Sequence, residues 1–197
     1  MLITRLEQIN KKKCRVYLND EPAFWLYYSE ISRYHIRERQ EFSRELSEEI
    51  YGAVLPKRAK LRCMNLLKLT DKTEAELYRR LRLEEYPEKV IAEALEYVKS
   101  FHYVDDLRYA RNYIDSKKAT KSRQQIQYEL QSKGVPGELI EQAWEETEPV
   151  DVTEQILYWA EKKHFDICTE DTKECQKFYQ FLLRKGFLYS DIKKALT

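Results

Sequence analysis

The sequence predicts a mainly α protein: three tandem three-helix repeats forming an elongated, curved array, preceded by a small N-terminal β-sheet segment. Three observations predict it. Glycine is scarce, with four residues in 197 beside five prolines, while Leu, Glu, Lys, Arg and Gln, all good helix formers, are abundant. Large apolar residues recur at matched positions about one repeat of 50 apart, the mark of a helical array. The first 28 residues instead alternate with period two, as a half-buried strand does.

The elements follow in chain order. Ile3–Ile9 reads as a strand, followed by the polar run Asn10-Lys11-Lys12-Lys13. Cys14–Leu18 is a second strand with Val16 and Leu18 on one face. Asn19-Asp20-Glu21-Pro22 has turn composition, and Ala23–Tyr28 is a third, aromatic strand. Ser29 can cap a short helix through Ile36. So small a sheet needs a packing partner. Helical sequence starts at Ser43-Arg44-Glu45-Leu46 and is expected to be interrupted at Gly52 and Pro56. The segments are therefore 1–55 for the sheet and its short helices, then repeats at 56–103, 104–150 and 151–197.

The repeats align on Leu77, Ile126 and Phe178, which stand 49 and 52 residues apart. Four residues on come Leu81, Leu130 and Leu182; fourteen on, Ile91, Ile140 and Ile192; eighteen on, Leu95, Trp144 and Leu196. Steps of four put both members of a pair on one helix face. Thr73-x-x-Glu76 and Ser122-x-x-Gln125 read as capping boxes; the third copy has Thr172 and Cys175 and lacks one. Gly134 and Gly186 each follow a lysine where a helix should end, with Glu85 at that place in the first copy. Pro87 and Pro136 coincide and suit the first turn of the next helix. A further helix precedes these two in each copy, over Ala59–Leu69, Leu107–Lys117 and Val152–Lys163, with Asp105/Asp106 and Asp151 as caps for the last two.

Charge excludes some functions and leaves others open. Lys and Arg number 35 against 34 Asp and Glu, a formal net charge of +1, which excludes a uniformly cationic DNA-coating protein. The total hides arrangement. Residues 57–83 hold nine basic against three acidic residues, 107–133 seven against two, and 135–154 seven acidic and none basic. The candidate partner-binding surface is therefore Lys57, Arg58, Arg62, Arg79, Arg80, Arg82, Arg108, Arg111, Lys117, Lys118, Lys121, Arg123 and Lys133. Such clusters suit phosphates or an acidic protein, although solvated helix faces carry charge runs too.

No stretch approaches the roughly 20 apolar residues of a membrane span, and the charged N-terminal stretch does not read as a secretory signal. Cys14, Cys63, Cys168 and Cys175 fit no zinc spacing and read as reduced thiols of a cytoplasmic protein, with a Cys168–Cys175 disulfide as the alternative. His35, His102 and His164 are scattered and read as structural. Phosphate-loop, dinucleotide, zinc-protease and nucleophile-elbow motifs are absent. No catalytic residue, metal or cofactor is expected, and the tyrosines and tryptophans read mostly as core.

Two stretches carry a family resemblance. Val104-Asp105-Asp106-Leu107-Arg108-Tyr109-Ala110-Arg111-Asn112-Tyr113-Ile114 and Ile126-Gln127-Tyr128-Glu129-Leu130-Gln131-Ser132-Lys133-Gly134-Val135 resemble signatures of the RecX regulatory family. Thr73-Glu74-Ala75-Glu76-Leu77 with Leu81 is similar to the family's first-repeat pattern, with Thr for Ser and Arg80 for Lys. Members usually place a Gly between the first two helices of repeat two, where this chain has Lys118-Ala119-Thr120-Lys121-Ser122. The resemblance spans residues 57–197 and reaches the sheet only loosely. It implies a non-enzymatic regulator of homologous recombination, DNA repair and the SOS response. Such proteins bind the RecA recombinase filament on single-stranded DNA and inhibit its ATPase, strand-exchange and coprotease activities. The chain is then expected to act as a monomer on that filament. The alternative is a sequence-nonspecific helical protein that binds single-stranded or duplex DNA directly. A steep fall of free-DNA affinity with salt favours the alternative; filament-dependent binding favours the regulator.

Overall fold

The computed structural model describes residues 1–167 and 172–196. It has two compact units, Met1–Val104 and Asp105–Thr197.

The first unit opens with an antiparallel sheet of β1 (Leu2–Gln8), β2 (Lys13–Leu18), β3 (Glu21–Tyr27) and β4 (Gln40–Glu41), in the order β3-β2-β1-β4. Val16 pairs with Phe24 and Cys14 with Leu26, so their side chains share the buried face. The turn between β2 and β3 is tighter than its composition suggests. Asn19 and Asp20 alone make it, at φ +50° and +70°, the conformation of a two-residue hairpin. Glu21 and Pro22 join β3, an edge strand where a missing N–H is tolerated. β4 has only two residues, too few to show periodicity. The short helix α1 (Tyr28–Arg33) begins one residue ahead of Ser29, and Glu30 accepts from the Tyr27 N–H at 2.8 Å.

The expected interruption at Gly52 and Pro56 does not occur. Helix α2 (Arg44–Glu49), capped by Ser43, passes through a π turn at Ile50–Val54 into α3 (Leu55–Leu67). The wider π turn absorbs Gly52, and Pro56 falls at the start of the next α segment, where its missing donor matters least.

Three three-helix modules follow the anticipated pattern. The first is α3, α4 (Glu74–Leu83) and α5 (Glu88–Ser100). The second is α6 (Asp106–Lys117), α7 (Arg123–Ser132) and α8 (Gly137–Glu145); the third is α9 (Val152–Lys162), α10 (Thr172–Arg184) and α11 (Tyr189–Leu196). In each, the first and third helices pack together. Thr73 and Glu76 form the reciprocal box, each bond 3.1 Å. Ser122 makes only half of one: its Oγ accepts from the Gln125 N–H, while the Gln125 amide turns to Glu129. Asp105 and Asp151 cap α6 and α9. Pro87 and Pro136 sit one residue earlier than expected, at the cap itself. Thr172 is the first residue of α10, and the residue before it lies outside the described residues.

The second helix of each module closes in one way. Glu85, Gly134 and Gly186 all have positive φ, at +59°, +88° and +81°. In each case the next residue's N–H reaches back to the same leucine of the repeat: Tyr86 to Leu81, Val135 to Leu130, Phe187 to Leu182. This is the Schellman motif, with an apolar residue following the left-handed one. The three histidines hold the same position after α1, α5 and α9, at φ +50° for His35, +55° for His102 and +52° for His164. Their spread along the sequence is thus a spread of helix ends.

Three cores result. The inner sheet face and module one share the first, in which Phe24, Phe42 and Tyr51 meet edge to face or tilted. Modules two and three each have a smaller core. The columns Leu77/Ile126/Phe178, Leu81/Leu130/Leu182 and Ile91/Ile140/Ile192 are buried throughout. In the fourth column Leu95 is buried, while Trp144 and Leu196 are half-buried. Cys14 and Cys63 are buried free thiols, and burial pushes Cys63 up to about 11. Cys175 is half-buried; Cys168, and with it the alternative pairing, lies outside the described residues. Among the described residues no helix is long and apolar enough to cross a membrane, and no cluster is fit to hold a metal.

Candidate partner interface

The thirteen cations read from the sequence meet different fates. Arg58, on α3, turns into the fold. Its guanidinium pairs with Glu30, donates to the Trp25 carbonyl at 3.1 Å and stacks 4.2 Å over the Trp25 ring. It ties α3 to the sheet, and only 14% of its side chain is exposed. Arg62 grips Glu84 through two nitrogens at 2.6–3.0 Å, and that hydrogen bonding raises its already high pKa. Arg80 shares Glu84 at 2.7 Å, and Arg82 pairs with Glu88.

Module two repeats the behaviour. Arg111 pairs with Glu146 at 2.7 Å, Lys118 with Asp115 at 2.8 Å and Arg123 with Glu141 at 2.5 Å. Lys121 holds both oxygens of Glu129 at 2.7 Å, and Tyr113 donates to the same carboxylate at 2.7 Å. Burial pushes Glu129 up, but Lys121 and Tyr113 outweigh it and hold the carboxyl below its ordinary value. At least eight of the thirteen are therefore matched to carboxylates of the chain itself, so the positive surface is smaller than the sequence count.

The remaining five stay outward or partly so. Arg79 and Arg108 are exposed. Lys133 stands 5.7 Å and 5.9 Å from the ring centres of Tyr109 and Tyr113. Lys57 is exposed and Lys117 half-buried, and among the described residues neither has a carboxylate partner.

The segment that departs from the family pattern, 118–122, needs no glycine, since no residue there has positive φ. It joins modules two and three. The Gln155 amide donates to the Lys118 carbonyl, the Trp159 indole to the Thr120 carbonyl at 2.8 Å, and the Ser122 hydroxyl to the Lys185 carbonyl at 2.7 Å. Gly186 is needed at this joint, because a Cβ there would lie 2.6 Å from Ser122 Oγ.

One cationic group escaped the sequence reading. Lys162, Lys163 and Lys185 gather around Trp159 and Phe181 in module three. Charge windows missed it because acidic residues interleave along the chain. The spacing Trp159-x-x-Lys162-Lys163, which puts both lysines one turn from an aromatic ring, is the signal that would have found it.

The fold defines a class: tandem three-helix modules with charged faces. Family models for the first, second and third three-helix domains of RecX match residues 59–97, 105–143 and 150–196. The chain belongs to the RecX family. It is 32% identical over 203 residues to the regulatory protein RecX of Caldanaerobacter subterraneus subsp. tengcongensis, spanning 100% of this chain and 99% of that one. It is 34% identical over 135 residues to the regulatory protein RecX of Vibrio campbellii, covering 68% and 86%. Among solved structures, a regulatory protein RecX matches with a TM-score of 0.61 at 22% identity over 98% of both chains. RecX from Lactobacillus salivarius gives 0.60 at 22% identity over 73% of this chain and 96% of that one. The relatives are named regulatory proteins rather than enzymes.

Proposed function

We propose that this chain binds the RecA recombinase filament on single-stranded DNA and inhibits its ATPase, strand-exchange and coprotease activities. The observation that carries the reading is the match of all three modules, in order, to the three RecX domains. The physical logic is that tandem modules offer several similar faces along one chain, suited to a partner that itself repeats. Inhibition then needs only differential affinity between filament states and no chemistry on this chain. Lys57 and Lys117, which have no carboxylate partner among the described residues, supply the charged part of that contact.

The deciding experiment is a recombinase ATPase assay on single-stranded DNA at increasing amounts of this protein. The expected result is a dose-dependent fall in rate; an unchanged rate sinks the reading. Charge reversal is best placed at Lys57 and Lys117, because reversal at Arg80 or Lys121 would also break Glu84 and Glu129 contacts. Lys57→Glu with Lys117→Glu is expected to raise the half-inhibitory concentration by up to about tenfold, the equivalent of about 1.4 kcal/mol, with thermal stability unchanged. Full inhibition by the folded variant would remove these two residues from the interface.

A further inference from the structure

We infer that module three carries an anion-binding face of its own, built by Lys162, Lys163 and Lys185 around Trp159 and Phe181, and that its ligand is the phosphate backbone of a nucleic acid. The rings meet edge to face, 5.2 Å between centres. Lys162 and Lys185 stand 5.1 Å and 4.8 Å from the Trp159 ring centre, and Lys163 and Lys185 5.1 Å and 5.8 Å from that of Phe181. Three ammonium groups thus converge on one aromatic pair, and among the described residues none has a carboxylate partner. Ring faces attract cations, yet three like charges so close still repel one another. A bound anion relieves that repulsion.

The convergence is held in place. Trp159 is pinned by its bond to the Thr120 carbonyl, and the Lys185 backbone by the Ser122 hydroxyl. Lys162 and Lys185 also stand at the C-terminal ends of α9 and α10, where the helix dipole favours a cation. That preference explains a lysine at each end; it does not explain why the two ends deliver three lysines to one place. The face continues along α10, where Lys177 and Arg184 lie on the same side as Phe181 by their spacing and likewise have no carboxylate partner among the described residues.

The row of cations points to phosphate. The chain meets its own carboxylates with isolated arginines and lysines, as at Arg58, Lys60, Arg82 and Lys121. This face instead aligns cations along one helix side, which suits the repeated phosphates of a backbone, and lysine binds phosphate as a compact point charge. Trp159 is buried and each ring already has two ammoniums beside it, so the lysines rather than the rings meet the ligand. The contact is therefore to the backbone and indifferent to sequence.

The magnitude sets its role. Each phosphate neutralised on a single strand adds about −0.7 to the slope of log affinity against log salt, so three lysines give about −2. A dedicated DNA binder with 6–10 phosphate contacts shows a far steeper dependence. The face is an auxiliary anchor to DNA, compatible with the recombinase reading and independent of it.

The test is a titration of the full chain with labelled oligo(dT), followed by fluorescence anisotropy across a salt series. The wild-type protein is expected to bind weakly and salt-dependently. Lys162→Gln, Lys163→Gln and Lys185→Gln together should reduce the slope by about 2, while the matching triple Lys→Arg variant keeps it. Lys99→Gln, whose ammonium pairs with Glu74 and Glu96, should leave the slope as it was. Absence of wild-type binding at low salt overturns the proposal, as does an unchanged slope in the folded Gln variant. Displacement of the DNA by polyglutamate as readily as by polyphosphate, at matched charge, would reassign the face to an acidic protein. None of these outcomes bears on the ATPase assay, so the two readings fail separately.

Discussion

Helix α3 of module one carries Arg58, Lys60 and Arg62 within five residues, and each turns back to a carboxylate of its own unit: Glu30, Glu93 and Glu84. Helix α9 of module three ends on Lys162 and Lys163, and these meet aromatic rings instead. The two modules share their apolar columns and the end of their second helix but not their electrostatics. Module one has helix α1 and the Glu84–Glu88 turn beside it, both supplying acids to its arginines. Module three folds around a small core of its own. A high local count of basic residues thus marks ion pairs in one place, while a modest count leaves an open cationic face in the other.

The sharpest way to break the comparison is at the column the modules share. Leu81, Leu130 and Leu182 are all fully buried, and Leu→Ala at any of them is expected to cost about 2–5 kcal/mol. Urea denaturation of Leu130→Ala checks the register; a loss near zero would mean that the columns are not equivalent. Leu182→Ala should in addition raise hydrogen exchange in module three well before module one, since the smaller core has less to lose before it opens.

The columns were legible because burial at spacings of four and fourteen leaves a trace in one sequence that no other constraint mimics. Capping was legible at Thr73 and only half so at Ser122, because the Gln125 side chain turns to Glu129 instead of reaching back. Helix ends were legible where they fell on glycine and hidden where they fell on Glu85 or on histidine. Neither residue type announces a left-handed backbone. The π turn at Ile50–Val54 was hidden for the opposite reason, because Gly52 and Pro56 announce a break that the wider turn avoids. The candidate interface was least legible. Pairs such as Arg58–Glu30 and Arg111–Glu146 join positions 28 and 35 residues apart, and no charge count along the chain can see them.

The helix ends give a middle-sized test. Gly186→Ala must accept positive φ with a Cβ 2.6 Å from Ser122 Oγ, and is expected to lose about 1–3 kcal/mol. At the matching place in module one, Glu85→Gly should relieve about 1 kcal/mol of left-handed strain while giving up an exposed pair with Arg15 worth about 0–1 kcal/mol. The expected net is between no change and a small gain, read by thermal denaturation. Equal and opposite losses at both positions would show that the three ends are not one motif.

The smallest effect concerns the ion pairs themselves. Glu129 titrates below its ordinary value in the folded chain because Lys121 and Tyr113 outweigh its burial. A carboxyl depressed on folding adds stability above its unfolded pKa and loses it as pH falls through the folded one. Acid titration of wild-type protein should therefore show a loss in the range below the ordinary glutamate value. In Lys121→Met that loss should shrink, by no more than about 1 kcal/mol for a partly exposed pair. Lys162→Gln, Lys163→Gln and Lys185→Gln should behave differently. These lysines have no carboxylate partner among the described residues, so the triple variant should follow the wild-type acid curve, and its stability should hold or rise slightly at low salt as like-charge repulsion is removed. A triple variant that loses stability by as much as Lys121→Met would mean that the module-three lysines are structural after all, and the contrast between the two surfaces would vanish.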